Sequence, residues 1–308
     1  MPPKSTLHHL KVLAHDRNGH LTEALCRLGE ATGATGTPTW RATRVTTVDP
    51  ADVSDAEVVY VVSFPQAINW TTWPAVRRIL YQVEQLPHSH MYHNEWFWRP
   101  FMSPHIVAIW DYTRANLPHY PPTLRSKVRI VPFPPLRLPP GPLPSLPPPK
   151  EGPVDVLFYG TNNRRRHHLM YALVTYLVPR GVSVRYLQRV YGEALQPHIR
   201  HAKVVLNLHF FDADVSYLET YRLNELLAHR VAIVSELPSK VDMAAVTPYR
   251  RAGVEFVPAV RTNVDALRLA VVVEHFVREP WRRVQAVRAA EKCWGELGCG
   301  AFKWDASQ

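Results

Sequence analysis

Residues 204–236 read VVLNLHFFDADVSYLETYRLNELLAHRVAIVSE, and this stretch predicts how the chain folds. A run rich in β-branched residues, a segment of helical character and a second apolar run follow one another without a gap. Such a β-loop-α-β unit is typical of a parallel sheet that is covered by helices. Glu219, Arg222 and Glu225 are spaced three residues apart, so a helix places them together near its start, beside the carboxyl end of the preceding strand. Open α/β sheets bind ligands at that edge.

The first predicted strand in this stretch ends in two polar residues, Asn207 and His209. A polar side chain among apolar neighbours needs a hydrogen-bond partner or a ligand. The simpler alternative for His209 is a core histidine that a backbone carbonyl satisfies. For the charged residues of the helix, the simpler alternative is a set of exposed ion pairs worth roughly 0.2–0.5 kcal/mol each. Their position beside Asn207 favours a ligand site.

A second segment with binding chemistry is VDVLFYGTNNRRRHH, residues 154–168. A buried strand is predicted to end at Gly160, and arginines begin the helix that follows. Glycine lets backbone N–H groups approach a phosphate, and a helix N-terminus adds a favourable dipole. Arg164–Arg166 would add charge for a diphosphate. The segment matches neither a P-loop nor the GxGxxG pattern, and the alternative is an ordinary glycine turn before a solvated basic helix.

Length and composition predict two α/β domains. The chain has 308 residues, of which 46% are hydrophobic and 20% are charged, and domains of roughly 130–150 residues are the usual division at this length. No apolar run reaches the roughly 18–20 residues that span a bilayer, and the N-terminal segment lacks the pattern of a secretory signal peptide. We therefore expect a cytoplasmic protein without a transmembrane segment, which leaves peripheral contact with a membrane open.

The formal net charge of +10 indicates affinity for anions. The sequence contains no helix-turn-helix, zinc-finger or RNP pattern, and its arginines are spread along the chain instead of forming one stripe. We therefore expect a nucleotide-sized anion as the ligand and no specific nucleic acid. Cys26, Cys293 and Cys299 are too few and too scattered for a disulfide framework or a zinc site, and we interpret them as reduced thiols.

A proline-rich segment separates the two predicted domains. Residues 132–153 contain 11 prolines in 22 positions, which excludes a helix or a central strand. We interpret residues 136–153 as a linker between an N-terminal domain, residues 1–135, and a C-terminal domain, residues 154–278. A surface loop or a docking motif for a proline-recognition module is the alternative. Residues 279–308 are predicted to form a C-terminal helix, with packing back across the domain junction left open.

Both predicted domains alternate strands with helices, which predicts a parallel sheet in each. In the first domain we predict strands at 10–14, 57–63, 106–110 and 128–132, and helices at 21–29 and 73–86. In the second domain we predict strands at 154–159, 183–187, 204–208, 231–235 and 254–257, and helices at 165–177, 193–202 and 264–277, with the last helix of the chain at 281–297 after this domain.

The order of these motifs resembles that of the GT-B glycosyltransferases. The C-terminal half is similar to their donor domain in its glycine loop at residues 158–163, the Tyr191–Gly192 turn, the strand LNLHF, and the helix ETYRLNELL followed by VAIVSE. The N-terminal half resembles their acceptor domain through YQVEQL, IWDYTRANL and VRIVPFPP. The resemblance implies an α/β fold of two Rossmann-like doubly wound domains facing across a cleft. It also implies transfer of a sugar from a UDP- or GDP-linked donor to a glycan or other hydroxyl acceptor.

The resemblance also implies roles for individual residues. The second glutamate of the family's helix typically binds the ribose hydroxyls, and Glu225 occupies that place. The first glutamate usually lies eight residues earlier, at Tyr217 here, whereas this chain has Glu219. Arg164 and Arg222 are expected at the diphosphate. The full set of expected donor-binding residues is Gly160, Thr161, Asn162, Arg164, Tyr191, Gly192, Asn207, His209, Glu219, Arg222, Asn224 and Glu225.

Enzymes of this family usually work without a metal, so we expect no metal site and no cofactor. Asp212–Ala213–Asp214 has the spacing of the DxD triplet that metal-dependent transferases use. It follows a strand in the donor half, however, where we expect it only to line a loop.

An inverting transferase needs a base near the acceptor hydroxyl. The loop HDRNGHL, residues 15–21, leaves the first strand, and its Asn18–Gly19–His20 resembles the glycine–histidine turn of several GT-B enzymes. Histidine has a near-neutral pKa, so His20 is the first candidate, with Asp16 as an alternative base or its orienting partner. Glu95, in the aromatic segment MYHNEWFWRPF, is the third candidate. A helix N-cap, a surface histidine and ordinary aromatic packing are the alternatives.

Two other functions remain open from the sequence. A nucleotide-sugar epimerase of the GT-B type would break the same bond without an acceptor. A non-catalytic protein that binds nucleotides or RNA would also agree with the positive charge.

Overall fold

The computed structural model of the chain describes residues 10–14, 43–44, 58–62, 77–88, 93–133, 142–143 and 145–295. The chain divides into two compact units between residues 134 and 135. Each unit contains one parallel sheet, so the predicted α/β class is confirmed. His20, Asp16 and the predicted helix at 21–29 lie outside the described residues. Within the described residues, no helix is long and apolar enough to cross a membrane.

The first unit has a six-stranded sheet with the strand order β2-β1-β3-β4-β5-β6. Its strands are β1 Leu10–Ala14, β2 Thr43–Arg44, β3 Val58–Val62, β4 Arg77–Gln82, β5 Ile106–Asp111 and β6 Val128–Ile130. Its described helices are α1 Glu95–Trp98 and α2 Pro122–Arg125, with 3₁₀ turns at Leu86–His88, Arg99–Met102 and Arg114–His119.

Strand β4 corrects the helix that we predicted at residues 73–86. Ile79, Leu80, Tyr81 and Gln82 are buried in succession, and β4 pairs in parallel with β3 on one edge and β5 on the other. A strand inside a parallel sheet is covered on both faces, so its apolar residues run on without alternating. Periodicity does not separate such a short run from a buried helix, which is why the prediction was wrong.

The second unit has a five-stranded sheet with the strand order β11-β10-β9-β7-β8. Its strands are β7 Val154–Tyr159, β8 Val184–Leu187, β9 Ala202–Asn207, β10 Ala232–Glu236 and β11 Glu255–Val257. Its helices are α3 Arg164–Leu177, α4 Gln196–Arg200, α5 Thr220–Ala228, α6 Val246–Arg251, α7 Asn263–Arg278 and α8 Pro280–Gly295. Short 3₁₀ turns lie at Val178–Arg180, Gly192–Ala194 and Lys240–Ala245.

Alternate residues of these strands enter two separate cores, one on each face of the sheet. Val156 of β7 packs on one face with Leu173 of α3 and Val273 of α7. Leu157, the next residue, packs on the other face with Leu223 of α5. Each side of the sheet is therefore covered by helices, as a doubly wound domain requires.

Cys293 of α8 is disulfide-bonded. Our interpretation of this residue as a reduced thiol is therefore wrong. The other two cysteines of the chain, Cys26 and Cys299, lie outside the described residues.

Candidate functional site

The strand order of the second unit marks one point on the sheet as a ligand site. The chain leaves β7, forms β8 on one side of it, and then returns to form β9 on the other side. The connections after β7 and β9 therefore depart to opposite sides, and open α/β sheets bind ligands in the crevice at such a point. The loop after β7 carries Gly160, and the loop after β9 leads to the helix that carries Arg222 and Glu225.

Gly160 is the residue that lets two arginine side chains approach the loop after β7. Its φ is +142°, in a region that side chains with a Cβ rarely adopt. A Cβ at this position would lie 3.2 Å from Nη1 of Arg166 and 3.4 Å from Nη2 of Arg222. Two guanidinium groups therefore lie directly against the backbone of the loop.

Asn163 begins helix α3 and ties it to the loop after β9. Its Oδ1 accepts a hydrogen bond of 2.8 Å from the backbone N–H of Arg166, which makes it the N-cap. Its Nδ2 donates to the backbone carbonyl of Phe210. Our sequence predictions gave Asn163 neither of these roles; an asparagine directly before a predicted helix was the available signal for the N-cap, and its bond across to the second loop had no local signal.

Arg166, Glu219 and Arg222 form a buried charged cluster beneath the loop. Oε1 of Glu219 lies 3.3 Å from Nη2 of Arg166, and Oε2 lies 3.1 Å from Nε of Arg222. Burial works to raise the pKa of Glu219, but the charges of Arg222 and Arg166 outweigh it and lower the pKa below its usual value. Two cations thus share one carboxylate, which leaves positive charge behind Gly160.

Both arginines of this cluster are also held by backbone carbonyls. Arg166 donates from Nη1 to Thr161 at 3.0 Å and from Nη2 to Leu208 at 2.6 Å. Arg222 donates from Nη1 to the carbonyl of Tyr159 at 3.3 Å. The bonds of Arg166 connect the start of α3 with the loop after β7 and the end of β9, and the bond of Arg222 connects the first turn of α5 with the end of β7. The positions of the two guanidinium groups are therefore fixed by the fold.

Arg165 forms a second buried ion pair, with Glu236 at the end of β10. Nη1 of Arg165 lies 3.0 Å from Oε2 of Glu236, and Nη2 donates to Oε1. The same carboxylate accepts backbone N–H groups of His209 at 2.8 Å and Val260 at 2.9 Å. Burial alone would raise the pKa of Glu236, but the bond from Arg165 holds it below its usual value.

Asn207 and His209 are fully buried, and each keeps one polar atom without a partner among the described residues. Nδ2 of Asn207 donates to Oγ of Ser235 at 3.0 Å, while its Oδ1 accepts nothing. Nε2 of His209 lies 3.1 Å from the carbonyl of Glu236. Because a carbonyl only accepts, Nε2 carries the proton and Nδ1 is the unpartnered atom. Burial lowers the pKa of His209, so the ring is neutral.

Glu225 differs from the other acidic residues of the site because its carboxylate has no cation partner at ion-pair distance among the described residues. It is half-buried on α5, and its Oε2 accepts one long hydrogen bond of 3.4 Å from the hydroxyl of Tyr159. Burial raises the pKa of Glu225, opposed by the charge of Arg222 and the bond from Tyr159. Glu225 therefore has acceptor capacity to offer a ligand at the edge of the loop.

The remaining expected donor residues fall into different environments. Arg164 and Thr161 are exposed, and Asn162 has a buried Oδ1 without a partner among the described residues. Tyr191 and Gly192 are half-buried at the turn after β8, where Gly192 has a φ of +56°.

Asn224, in contrast, is 2% exposed and points into the core of the second unit. Its Oδ1 accepts a hydrogen bond of 2.9 Å from the hydroxyl of Tyr249. We therefore do not retain Asn224 among the proposed ligand contacts.

Glu95, the third candidate base, lies in the first unit. It is the first residue of α1 and is exposed. The neighbouring Phe97 and Trp98 are buried, while Trp96 is 47% exposed. Packing therefore accounts for two of the three aromatic residues.

The Asp212–Asp214 triplet lies in the loop after β9. Asp214 is exposed and forms an ion pair with Arg261. Within the described parts of the chain, no group of three His, Cys, Asp or Glu side chains is placed to hold a metal ion. Metal independence stays a prediction.

The sequence predicted Arg164–Arg166 together as charge for a diphosphate, with Arg164 as the donor-binding residue, and the ion pairs made by Arg165 and Arg166 were missed. Three consecutive arginines at a helix start look equivalent in a sequence, but successive residues of a helix point about 100° apart. Arg164 is exposed, while the next two side chains turn inward to Glu236 and Glu219. An acidic residue at the end of a buried strand, as Glu236 is, was the available signal.

No family model and no curated protein sequence matches the chain. Solved structures do match it. HepE from Anabaena, in a crystal structure with UDP and glucose, aligns over 94% of this chain and 95% of its own, with a TM-score of 0.57 and 8% identity. Sucrose-phosphate synthase from Thermosynechococcus elongatus aligns over 94% of both chains, with a TM-score of 0.53 and 10% identity. WaaG, a glycosyltransferase involved in lipopolysaccharide biosynthesis, covers 93% of this chain and 95% of its own, with a TM-score of 0.52 and 10% identity. Identities this low establish the fold alone.

Proposed function

We propose that this chain, which has the GT-B fold of glycosyltransferases, transfers a sugar from a nucleoside-diphosphate sugar to a hydroxyl acceptor. The proposed donor site is the edge of the second sheet at the Gly160 loop. The donor is a UDP- or GDP-linked sugar, and the acceptor is a glycan or another molecule with a free hydroxyl. No cofactor takes part, and the nucleotide sugar is a substrate.

The observation that carries this proposal is the environment of Glu225. Among the residues that the structure describes, its half-buried carboxylate receives only the long bond from Tyr159, whereas Glu219 and Glu236 are both neutralised by arginines. A carboxylate with free acceptor positions binds a pair of vicinal hydroxyls well, because each hydroxyl donates one hydrogen bond to it. We assign Glu225 to the ribose of the donor.

The diphosphate is assigned to the Gly160 loop. Its backbone is backed by the guanidinium groups of Arg166 and Arg222, and α3 begins at Arg164. Thr161 lies on the loop and Arg164 lies beside it at the start of α3, and both residues are exposed. Sugar transfer releases a nucleoside diphosphate with developing negative charge, and preorganised cations and N–H groups stabilise such charge. HepE, which shares the fold, was crystallised with UDP and glucose, and this supports the same ligand class here.

The acceptor side of the reaction rests on the sequence alone. His20 or Asp16, or Glu95 in the first unit, is proposed to remove the proton from the acceptor hydroxyl if the enzyme inverts the anomeric configuration. The base takes the proton as the acceptor oxygen forms its bond to the sugar carbon and the bond to the leaving phosphate oxygen breaks.

Isothermal titration with UDP and GDP tests the donor site. We expect Glu225→Ala to weaken binding of the preferred nucleotide by about 10- to 100-fold, the loss that accompanies hydrogen bonds to a charged group. Glu255→Ala, which removes an exposed carboxylate on β11, is the matched control and should bind as the unmodified protein does. Equal affinity in both variants would contradict the assignment of Glu225.

Release of nucleoside diphosphate from UDP- and GDP-sugars tests the reaction. Transfer requires release to increase when a glycan acceptor is added. An epimerase of the same fold would release it at the same rate without an acceptor, and that result would overturn the transferase proposal while keeping the donor site.

A further inference from the structure

A cavity of about 510 Å³ that is widely open to solvent lies at the end of the second sheet opposite to the proposed donor site. Its floor includes Ala202 and Ala232, the first residues of β9 and β10. Because the strands are parallel, their amino ends share one edge, and the Gly160 loop belongs to the other edge. One side of α8 forms the wall. The cavity is therefore separate from the site described above.

The cavity is strongly basic. Within the described parts of the chain, five basic side chains line it, Arg200, Lys203, Arg230, Arg283 and Arg288, against a single carboxylate, Glu291. His229 also lines it and accepts a hydrogen bond of 3.3 Å from Nε of Arg200. Burial and the charge of Arg200 lower the pKa of His229 to about 4, so this ring stays neutral at physiological pH and the excess of positive charge comes from arginine and lysine.

Arg230 reaches this cavity at a conformational cost. It follows the last turn of α5 with a φ of +54°, and its backbone N–H bonds to the carbonyl of Leu227 at 3.0 Å. This is the left-handed position after a helix at which glycine is favoured. An arginine at this position makes the folded chain less stable than a glycine would. Its guanidinium lies in the cavity wall, with Nε 3.5 Å from Oε1 of Glu291.

Arg283 and Lys203 are held by neighbouring groups, whereas Arg288 is available to a ligand. Nη1 of Arg283 donates to the carbonyl of Val277 at 2.6 Å, at the end of α7, and Lys203 pairs with Asp155 at 2.6 Å. Arg288 is exposed and forms no hydrogen bond or ion pair with any residue that the structure describes. Preformed positive charge and an available guanidinium thus converge on one cavity.

We propose that this cavity binds a small anion that carries two or more phosphate groups. Its volume lies within the range of roughly 300–1,000 Å³ that small-molecule sites occupy, and arginine forks match phosphate oxygens in geometry and charge. The phosphates belong either to a soluble molecule or to a lipid headgroup.

Titration calorimetry with inorganic pyrophosphate tests the site, in the presence of saturating UDP so that any donor site is occupied. We expect Arg230→Gly and Arg288→Ala each to weaken pyrophosphate binding by about tenfold or more. Glu291→Gln removes the single carboxylate and should strengthen binding. Arg230→Gly should also melt at the same or a higher temperature than the unmodified protein, which separates loss of the ligand contact from loss of folding.

Arg189→Gly is the matched control. Arg189 has a φ of +56° and is exposed, but it lies after β8 and outside the cavity. The variant therefore makes the same change in charge and backbone, and should leave pyrophosphate binding unchanged. Equal affinities in the unmodified protein, Arg230→Gly and Arg288→Ala would overturn the proposal, whether or not UDP binds.

Flotation with phosphatidylcholine vesicles that contain or lack phosphatidylinositol 4-phosphate, a lipid with two phosphate groups, separates the two sources of phosphate. Binding that requires this lipid and is lost in Arg230→Gly assigns the site to a lipid headgroup, and binding of soluble pyrophosphate alone assigns it to a soluble ligand. Binding of single-stranded RNA without any affinity for pyrophosphate or phosphatidylinositol 4-phosphate would overturn the proposal.

Discussion

Arg165 and Glu236 form a two-pronged ion pair that joins the start of α3 to the end of β10, 71 residues later in the chain. The Glu236 side chain is fully buried, and that of Arg165 is 11% exposed. The carboxylate also holds the backbone N–H groups of His209 and Val260. The Glu236 carboxylate thus holds the start of α3, the loop after β9 and the loop after β11 together, at the edge of the sheet where we propose that the donor binds.

Glu236→Gln should lower the free energy of unfolding at pH 7 by about 3 kcal/mol, because it leaves a buried guanidinium without its counter-charge. Denaturation with urea measures the loss. Glu274→Gln is the control, since Glu274 pairs with the half-exposed Arg278 on the surface of α7, and an exposed pair contributes about 0–1 kcal/mol. Similar losses in the two variants would contradict the buried role of Glu236.

The contribution of Glu236 should depend on pH in a defined direction. Its pKa is lower in the folded chain than its usual value of 4.5. The stabilisation is therefore fully present above about pH 4.5 and is lost as the pH falls through the lowered pKa. Urea titrations from pH 7 down to about pH 3 should show the gap between the unmodified protein and Glu236→Gln becoming smaller. A gap that stays constant or widens with acid would contradict this.

Gly160→Ala should lower the free energy of unfolding by about 1–3 kcal/mol through backbone strain and crowding. The new Cβ would meet Nη1 of Arg166 at 3.2 Å, so we also expect weaker nucleotide binding. Gly181→Ala is the control, because Gly181 has a φ of +75° but no atom within 4 Å of an added Cβ. Thermal denaturation of both variants compares a positive-φ glycine whose added Cβ would contact the arginines with one whose added Cβ would meet open space.

The sequence predicted the strands of the second unit closely and the environments of its charged residues poorly. Val154–Tyr159 was predicted with its observed bounds, because a buried parallel strand is a short continuous apolar run bounded by turn residues. The pairing of Arg165 with Glu236 depends on which strands are neighbours in the sheet, and local sequence does not contain that information. The same limit applies to β4, where a run covered on both faces was predicted as a helix.

Glu225→Gln should make the folded protein slightly more stable at pH 7 while it weakens nucleotide binding. Burial raises the pKa of Glu225, so the folded state favours the protonated form. The stabilisation that protonated Glu225 gives the folded state is fully present below about pH 4.5 and is lost as the pH rises through the raised pKa. The ionised carboxylate therefore lowers the free energy of unfolding at neutral pH. Because Glu225 is half-buried, we expect a gain on the order of 1 kcal/mol or less. A variant that is less stable at pH 7 would contradict this assignment.

Asn224 and Glu225 should give opposite phenotypes although they are adjacent in the chain. Asn224→Ala removes the 2.9 Å acceptor of the Tyr249 hydroxyl in the core and leaves it the longer bond of 3.5 Å to the carbonyl of Thr220, which should cost about 1–3 kcal/mol of unfolding free energy. Its affinity for UDP or GDP should not change. Glu225→Ala should do the reverse, losing nucleotide affinity without a comparable loss of stability. Successive residues of a helix point about 100° apart, so one side chain of α5 enters the core while the next reaches the edge of the Gly160 loop. Measuring urea denaturation and nucleotide titration on both variants decides between this division and a shared role, since a shared role predicts that both variants lose nucleotide affinity.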